Sequence, residues 1–397
     1  MSHAEYATGL VLSGGGARAA YQVGALRAVA RLLPRSNAQP FPVICGTSAG
    51  AINAALLASN ADSFRRGVAR LLRWWRRIRV TDVYRADLVT LTRHAARLIG
   101  SLGGGGHGPW GAPTLLDNAP LAGLLRSGID LSQVRAHIES GHLRALGINA
   151  TSYGTGHAVT FFEGASDVAE WWRARRRGER CRLGTEHLMA SSAIPFVFPA
   201  IRVGGDYYMD GSVRQIAPLS PALHLGAKRI VVLAVGQFTG QSTSAATYAA
   251  QAPRQPSLGQ IAGHALSSVF LDNLGVDLER LHQVNGLLSL LPPGEATERN
   301  RAAAHVDAFV LSPTRDLGTL ALGYADRLPR GVRYLLRGHG STHGTGANLL
   351  SYLLFDRAFS RVLLKEGYDD AMARRDELAG FLRGAPAGLP LFPAGPR

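Results

Sequence analysis

The sequence predicts an α/β fold with a mainly parallel central sheet, helices on both sides and a helical C-terminal extension. Three observations point there. The first sixty of the 397 residues alternate short apolar runs with helical ones, the β-α-β-α order from which parallel sheets are built. A later run, Arg229 to Val235 (RIVVLAV), has the β-branched density of a strand buried on both faces. Apolar residues make up 46% of the chain, enough for a sizeable core at this length.

The elements follow in order. Gly9 to Ser13 (GLVLS) is an apolar run closed by three glycines, and from Ala17 to Leu33 the residues Ala20, Val23, Leu26, Ala30 and Leu33 recur at helical spacing. Pro34 to Pro42 break that helix, Val43 to Gly46 form a second short strand, and Ala49 to Ala58 is an alanine-rich helix. From Phe64 to Val80, Val68, Leu71, Leu72, Trp75 and Ile78 share one helical face and Arg66, Arg70, Arg73 and Arg77 the other. Gly100 to Pro113 is a glycine-rich loop. Leu143 to Ala150 and Ala158 to Phe162 read as strands flanking a Gly154/Gly156 turn. Thr185 to Ala193 is a helix stopped by Pro195, and Ile201 to Met209 is extended with a turn at Gly204 and Gly205. Gln237 to Pro256 has a loop or linker composition, while Leu258 to Leu291 and Asn348 to Glu366 carry helical periodicity.

Forty-three basic against 28 acidic residues give a formal charge of +15, which favours polyanions such as anionic membranes or nucleic acid. Only Lys228 and Lys365 are lysines. The sequence has no zinc-ligand spacing, RNP-like aromatic strand or basic leucine zipper, so no nucleic-acid partner is expected. Two cysteines, Cys45 and Cys181, exclude a disulfide scaffold and a four-cysteine metal site and suit a reducing compartment. The opening residues MSHAEYATG lack the basic-then-apolar run of a signal peptide. The longest uncharged stretch, Ser36 to Ala61, is interrupted by Pro40, Pro42, Gly46, Gly50 and Asn53, so no transmembrane helix is expected. The expectation is a cytoplasmic protein with a capacity for peripheral membrane contact. The basic helix with Trp74 and Trp75, and the Trp171-Trp172 pair followed by Arg173, Arg175, Arg176 and Arg177, have the composition for it. The commoner use of such a helix is to bury its apolar face in its own core.

Gly46-Thr47-Ser48-Ala49-Gly50 fits G-x-S-x-G where an apolar strand meets a small-residue helix, the setting in which a sharp turn exposes a serine hydroxyl. Upstream, Ser13-Gly14-Gly15-Gly16-Ala17-Arg18 turns from the first strand into a helix. Unpaired backbone N–H groups converge there with the positive end of a helix dipole, an arrangement that can hold a developing oxyanion. Gly14, Gly16 and Ala19 also spell G-x-G-x-x-A, the dinucleotide fingerprint, but no Asp or Glu occurs between Glu5 and Asp62 to hold a ribose. His264, His282, His305, His339 and His343 come late enough to complete a Ser-acid-His triad, though none stands in a distinctive context.

Together these residues resemble the patatin-like phospholipases. Gly14-Gly15-Gly16-Ala17-Arg18 is similar to the family's oxyanion turn and Gly46 to Gly50 to its nucleophile elbow. Ala190-Ser191-Ser192-Ala193-Ile194-Pro195 with Phe198 resembles the segment leading to the acid, and Asp210-Gly211-Ser212 stands where the family has Asp-Gly-Gly or Asp-Gly-Ala. Ser212 and Ala19 depart from the usual small residue and glycine at their positions. The resemblance implies a patatin-like three-layer fold and a Ser-Asp dyad, Ser48 as nucleophile and Asp210 as base. It also implies an oxyanion hole from Gly14, Gly15, Gly16 and Ala49, with Arg18, Gly46, Gly50 and Gly211 supporting the motifs. The implied activity is hydrolysis of glycerolipid acyl esters without metal or organic cofactor. A broader carboxylesterase or thioesterase of the same mechanism is the runner-up, and an inactive membrane or nucleic-acid adaptor a third reading. The resemblance covers a catalytic domain over residues 8–236; composition and periodicity add a linker over 237–257, a helical region over 258–383 and a disordered tail over 384–397.

Overall fold

The computed structural model describes residues 8–34, 38–85, 114–237, 274–290, 305–337 and 345–386. The glycine-rich loop, most of the linker and all but the first residues of the tail named above lie outside them. Among the described residues ten strands form one mixed sheet. Its parallel heart is β1 (Thr8–Leu12), β2 (Val43–Thr47) and β3 (Ala145–Ser152), joined on the other side of β1 by β9 (Arg229–Leu233) and β10 (Asp307–Leu311). Beyond β3 the sheet continues through antiparallel β4 (Ala158–Gly164), then β6 (Arg176–Arg180) and the edge strand β5 (Trp171–Arg173). The hairpin of β7 (Ile201–Val203) and β8 (Asp206–Asp210) pairs antiparallel with the C-terminal end of β3, setting Asp210 opposite Ala150.

Alternation along the parallel strands makes three layers. Leu10, Leu12, Ile44, Val231 and Leu233 enter one apolar core, while Val11, Val43, Cys45, Ile230 and Val232 enter the other. The first core is covered by α1 (Ala20–Leu32), α2 (Ala49–Ala58) and α3 (Phe64–Arg77), followed by short α4 (Val80–Val83), α5 (Ala119–Gly128), α6 (Ser132–Glu139) and α7 (Thr185–Ser191). The second is covered by α8 (Ser220–His224) and the start of α9 (Leu274–Ser289).

The C-terminal region is built onto the same sheet. β10 extends it, and α10 (Leu317–Leu322), α11 (Arg330–Arg337), α12 (Thr345–Leu353), α13 (Arg357–Ala373) and α14 (Arg375–Leu382) follow. The periodicity seen from Asn348 to Glu366 belongs to two helices, since the chain leaves α12 at Leu354 and restarts α13 behind an Asp356 cap that accepts from the Ala358 and Phe359 amides. α1 and α13 pack with their backbones in contact. A Cβ on Gly24 would collide with the Leu364 carbonyl, and one on Gly367 with the Tyr21 carbonyl. Tyr21 Oη then donates to Asp370 Oδ2 at 2.9 Å across that seam.

The basic helix α3 buries Phe64, Val68, Leu71 and Trp75 against the core, leaves Arg66, Arg73, Arg76 and Arg77 exposed and keeps Arg65 and Arg70 half-buried. The Trp171-Trp172 segment forms an edge of the sheet. Trp171 is buried against Phe162 and His224, and Trp172 stays exposed beneath the Arg177 guanidinium. Among the described residues no helix is long and apolar enough to cross a membrane.

Candidate active site

The turn from β2 into α2 places Ser48 at φ 55° and ψ −129°. That left-handed region is costly for a side-chain-bearing residue and persists only where the surroundings enforce it. Here they do. A Cβ on Gly46 would collide with the Gly50 carbonyl and the Ala51 backbone, and one on Gly50 with the Leu12 and Ser13 carbonyls. The helix therefore starts jammed against the ends of β1 and β2. The Ser48 amide donates to Ser191 Oγ at 2.8 Å, and Ser191 Oγ donates to the Asn149 carbonyl at 2.6 Å, tying the turn to α7 and β3.

Asp210 ends β8 and is completely buried. Its amide donates to the Ala193 carbonyl at 2.9 Å, its Oδ1 accepts from the Ser212 amide at 2.9 Å, and Gly211 lies with its Cα against the Asn149 carbonyl. The structure thus brings Ser48 and Asp210, 162 positions apart, to one point. The Ser48 hydroxyl acts on the carboxyl as a donor that favours its charged form. Asp210 Oδ2 itself has no hydrogen-bond partner among the described residues. Burial outweighs the Ser48 hydroxyl and the Ser212 amide and hydroxyl and pushes the Asp210 carboxyl up to about 6.

The glycine turn closes the other side. Gly14 comes within van der Waals reach of Ser48, an added Cβ falling 3.2 Å from the serine Cβ. Gly14, Gly15, Gly16 and Ala49 make no backbone N–H bond to described residues, as expected for amides in the first turns of helices. Arg18 is not exposed. Its guanidinium is buried, donating from Nε to Ser351 Oγ and from Nη2 to Asn348 Oδ1, both at 2.7 Å, with its carbon 4.7 Å from the Tyr352 ring centre. Helix α12 therefore grips the turn through Arg18. Burial lowers the Arg18 pKa, an effect countered by Tyr352 and by Asp316.

Beside Ser48 lies an apolar cavity of about 30 Å³ walled by Ile52, Trp74, Ile194, Phe198, Leu353 and Phe355, room for roughly one water. Ser192 also lines it, and its buried Oγ has no partner among the described residues. Of the late histidines, His282 and His305 are exposed and do not line this cavity; His264, His339 and His343 lie outside the described residues.

Motif reading missed two buried amides that hold the site together. Gln22 Nε2 donates to the Ser13 and Leu233 carbonyls, and Asn53 Nδ2 donates to the Ala19 carbonyl and to Gln22 Oε1. Trp75 Nε1 in turn donates to Asn53 Oδ1 at 2.8 Å. This chain links the glycine turn to α2 and α3. Their signal in the sequence is weak: single amides inside alanine-rich helices, one buried over most of its length and the other throughout.

A family model described as patatin-like phospholipase matches residues 10–223, more than half of the chain. No curated protein matches it. Similar solved structures include VipD from Legionella pneumophila, at 13% identity and TM-score 0.37, covering 94% of this chain and 67% of that one. Human GIVD cytosolic phospholipase A2 in complex with methyl gamma-linolenyl fluorophosphonate is 14% identical with a TM-score of 0.43; the match covers 95% of this chain but 59% of the human one. The ExoU-SpcU complex of Pseudomonas aeruginosa is 19% identical with a TM-score of 0.25, covering 88% and 69% of the respective chains.

Proposed function

The chain belongs to the patatin-like phospholipase family, and on that premise we propose that it is a serine lipid acyl hydrolase of phospholipase A type, cleaving acyl esters of glycerolipids through an acyl-Ser48 intermediate. The observation that carries this is a serine on a strained elbow, against a completely buried carboxylate on one side and a glycine turn with unengaged amides on the other.

Ser48 Oγ attacks the ester carbonyl as its proton passes to Asp210, giving a tetrahedral oxyanion that the N–H groups of Gly14, Gly15, Gly16 and Ala49 stabilise. Collapse expels the alcohol, which takes the proton back from Asp210. The same carboxylate then draws a proton from water as it attacks the acyl-serine, and the second oxyanion uses the same donors. A carboxylate of ordinary pKa is a poor base at neutral pH; burial of Asp210 brings it to about 6 and closer to the working range. The acyl group occupies the apolar cavity walled by Trp74, Phe198 and Phe355, whose side chains must part to admit a long chain.

Ser48→Ala and Asp210→Asn are each expected to lower hydrolysis of phospholipid in mixed micelles by about 10³-fold or more, with the circular dichroism spectrum unchanged. Full activity in Asp210→Asn would remove the dyad. The small resting cavity favours one alternative, a carboxylesterase or thioesterase for short acyl groups; a p-nitrophenyl ester series from two to sixteen or so carbons separates them by where kcat/KM peaks.

A further inference from the structure

A second cleft lies behind the wall of the acyl cavity. It measures about 350 Å³ and is lined by Arg70, Arg73, Trp74, Arg77, Ile78 and Asp82, with Leu56, Leu124 and Gly128 completing it. That is at the lower end of the size of small-ligand sites, which run about 300–1,000 Å³. Trp74 and Ile78 line both spaces, so a molecule with its acyl chain in one has its polar end within a side chain's thickness of the other.

The cleft is strongly cationic for its size. Helix α3 carries six arginines and no acidic residue, and Arg70, Arg73 and Arg77 fall on one stripe of it. Among the described residues none of the three is paired with a carboxylate. The one acid in the lining, Asp82, is engaged in accepting from the Arg79 amide at 2.8 Å, and Asp130 feels the Arg70 charge without pairing to it. Arg70 is held in place by neutral acceptors, Asn60 Oδ1 at 3.0 Å and the Gly128 carbonyl at 3.4 Å. Arg73 and Arg77 are exposed. Closely spaced guanidiniums, one of them pre-positioned, fit the oxygens of a phosphate better than any neutral group.

We propose that the Arg70–Arg73–Arg77 cleft binds a phosphate anion, and that in the lipid-hydrolase reading on which this rests it selects glycerophospholipids with anionic head groups over zwitterionic ones, whose phosphate brings with it an ammonium group that the three guanidiniums repel. The same chemistry would take a free phosphate ester, so the test has an arm for each source. The full chain and its Arg73→Gln/Arg77→Gln variant are compared for hydrolysis of phosphatidylglycerol and phosphatidylcholine in matched mixed micelles. Arg76→Gln/Arg126→Gln, which removes two exposed arginines outside the cleft, controls for bulk charge. The expected result is a preference for phosphatidylglycerol, carried in KM, that falls about tenfold in the cleft variant and survives in the control. Co-sedimentation of Ser48→Ala, with and without the cleft substitutions, on vesicles of the same lipids reads binding without turnover. Inactivity of the wild type on every ester would defeat the hydrolase reading while leaving this arm to decide the cleft. Competition by glycerol 3-phosphate in the wild type but not in the cleft variant assigns the site to the free anion as well; its absence, with lipid discrimination intact, assigns it to the head group. Equal loss in cleft and control variants, or unchanged discrimination in the cleft variant, overturns the proposal.

Discussion

Ser48 and Asp210 show what a single residue can announce and what it cannot. The serine is legible because its chemistry is local: two glycines around it, a strand before and small residues after. Asp210 is not, because an Asp-Gly after a strand is ordinary turn chemistry; only the family resemblance singled it out, and only the fold gives it a completely buried position. Gln22 and Asn53 carry no such signal for a related reason, since an amide selects its partner by distance, not by neighbours in sequence. The raised Asp210 pKa has two measurable consequences. Only the ionised carboxylate accepts a proton, so kcat/KM is expected to fall as pH drops through about 6, which a pH–rate profile on a neutral ester checks. For stability the sign is opposite. Between the ordinary value of 3.8 and about 6 the folded chain holds a proton the unfolded chain has lost, so this group's contribution falls as pH rises through that window. Asp210→Asn is therefore expected to be more stable than wild type at pH 7 by on the order of 2–3 kcal/mol, and to lose that advantage at pH 4, as urea midpoints would show.

At the scale of elements, strands and helices with their own periodicity were readable, and those that depend on a partner were not. β1, β2 and β9 are continuous apolar runs, as strands buried on both faces must be. β10 is five residues, DAFVL, in a region dominated by helical spacing, and exists because β9 offers it an edge. The Trp-Arg run of β5 and β6 has the composition of a membrane-facing segment, yet its alternation acquires meaning only once Trp171 stacks on Phe162. Helix α12 carries a further expectation. Ser351 and Asn348 supply the side-chain acceptors of the buried Arg18 guanidinium, and a buried charged donor left unpaired costs roughly 1–3 kcal/mol or more. Asn348→Ala with Ser351→Ala is expected to loosen the glycine turn and lower kcat about tenfold, a fraction of the 10²–10³ that removal of a whole oxyanion donor costs. Ester KM should be nearly unchanged; steady-state kinetics on a soluble ester, with a melting curve alongside, separates this from general destabilisation.

For the whole molecule, the C-terminal region is structurally continuous with the sheet that carries the site. β10 lies beside β9, α13 lies on α1, and residues 347–355 reach both the glycine turn and the apolar cavity beside Ser48. The three-layer α/β plan was legible from the first sixty residues because parallel strands and covering helices leave a strong apolar record. The return of the C-terminal chain was not, because contacts between α1 and α13 span more than 330 positions and rest on two glycines and one Tyr–Asp bond that nothing local marks. Removal of residues 305–397 is expected to expose the core face of α1 and the edge of β9 and give insoluble protein, a result that solubility and light scattering decide. Gly367→Leu is expected to cost about 3 kcal/mol or more by overpacking a backbone contact, seen as a lower urea midpoint with little change in slope.

That seam also bears on ancestry. With each glycine pressed on the other helix's carbonyls, neither position can acquire bulk while its counterpart's surroundings stay as they are. Lineages descended from this chain should either keep both sites small or drift at positions 24 and 367 in concert, as the helices spread apart to make room.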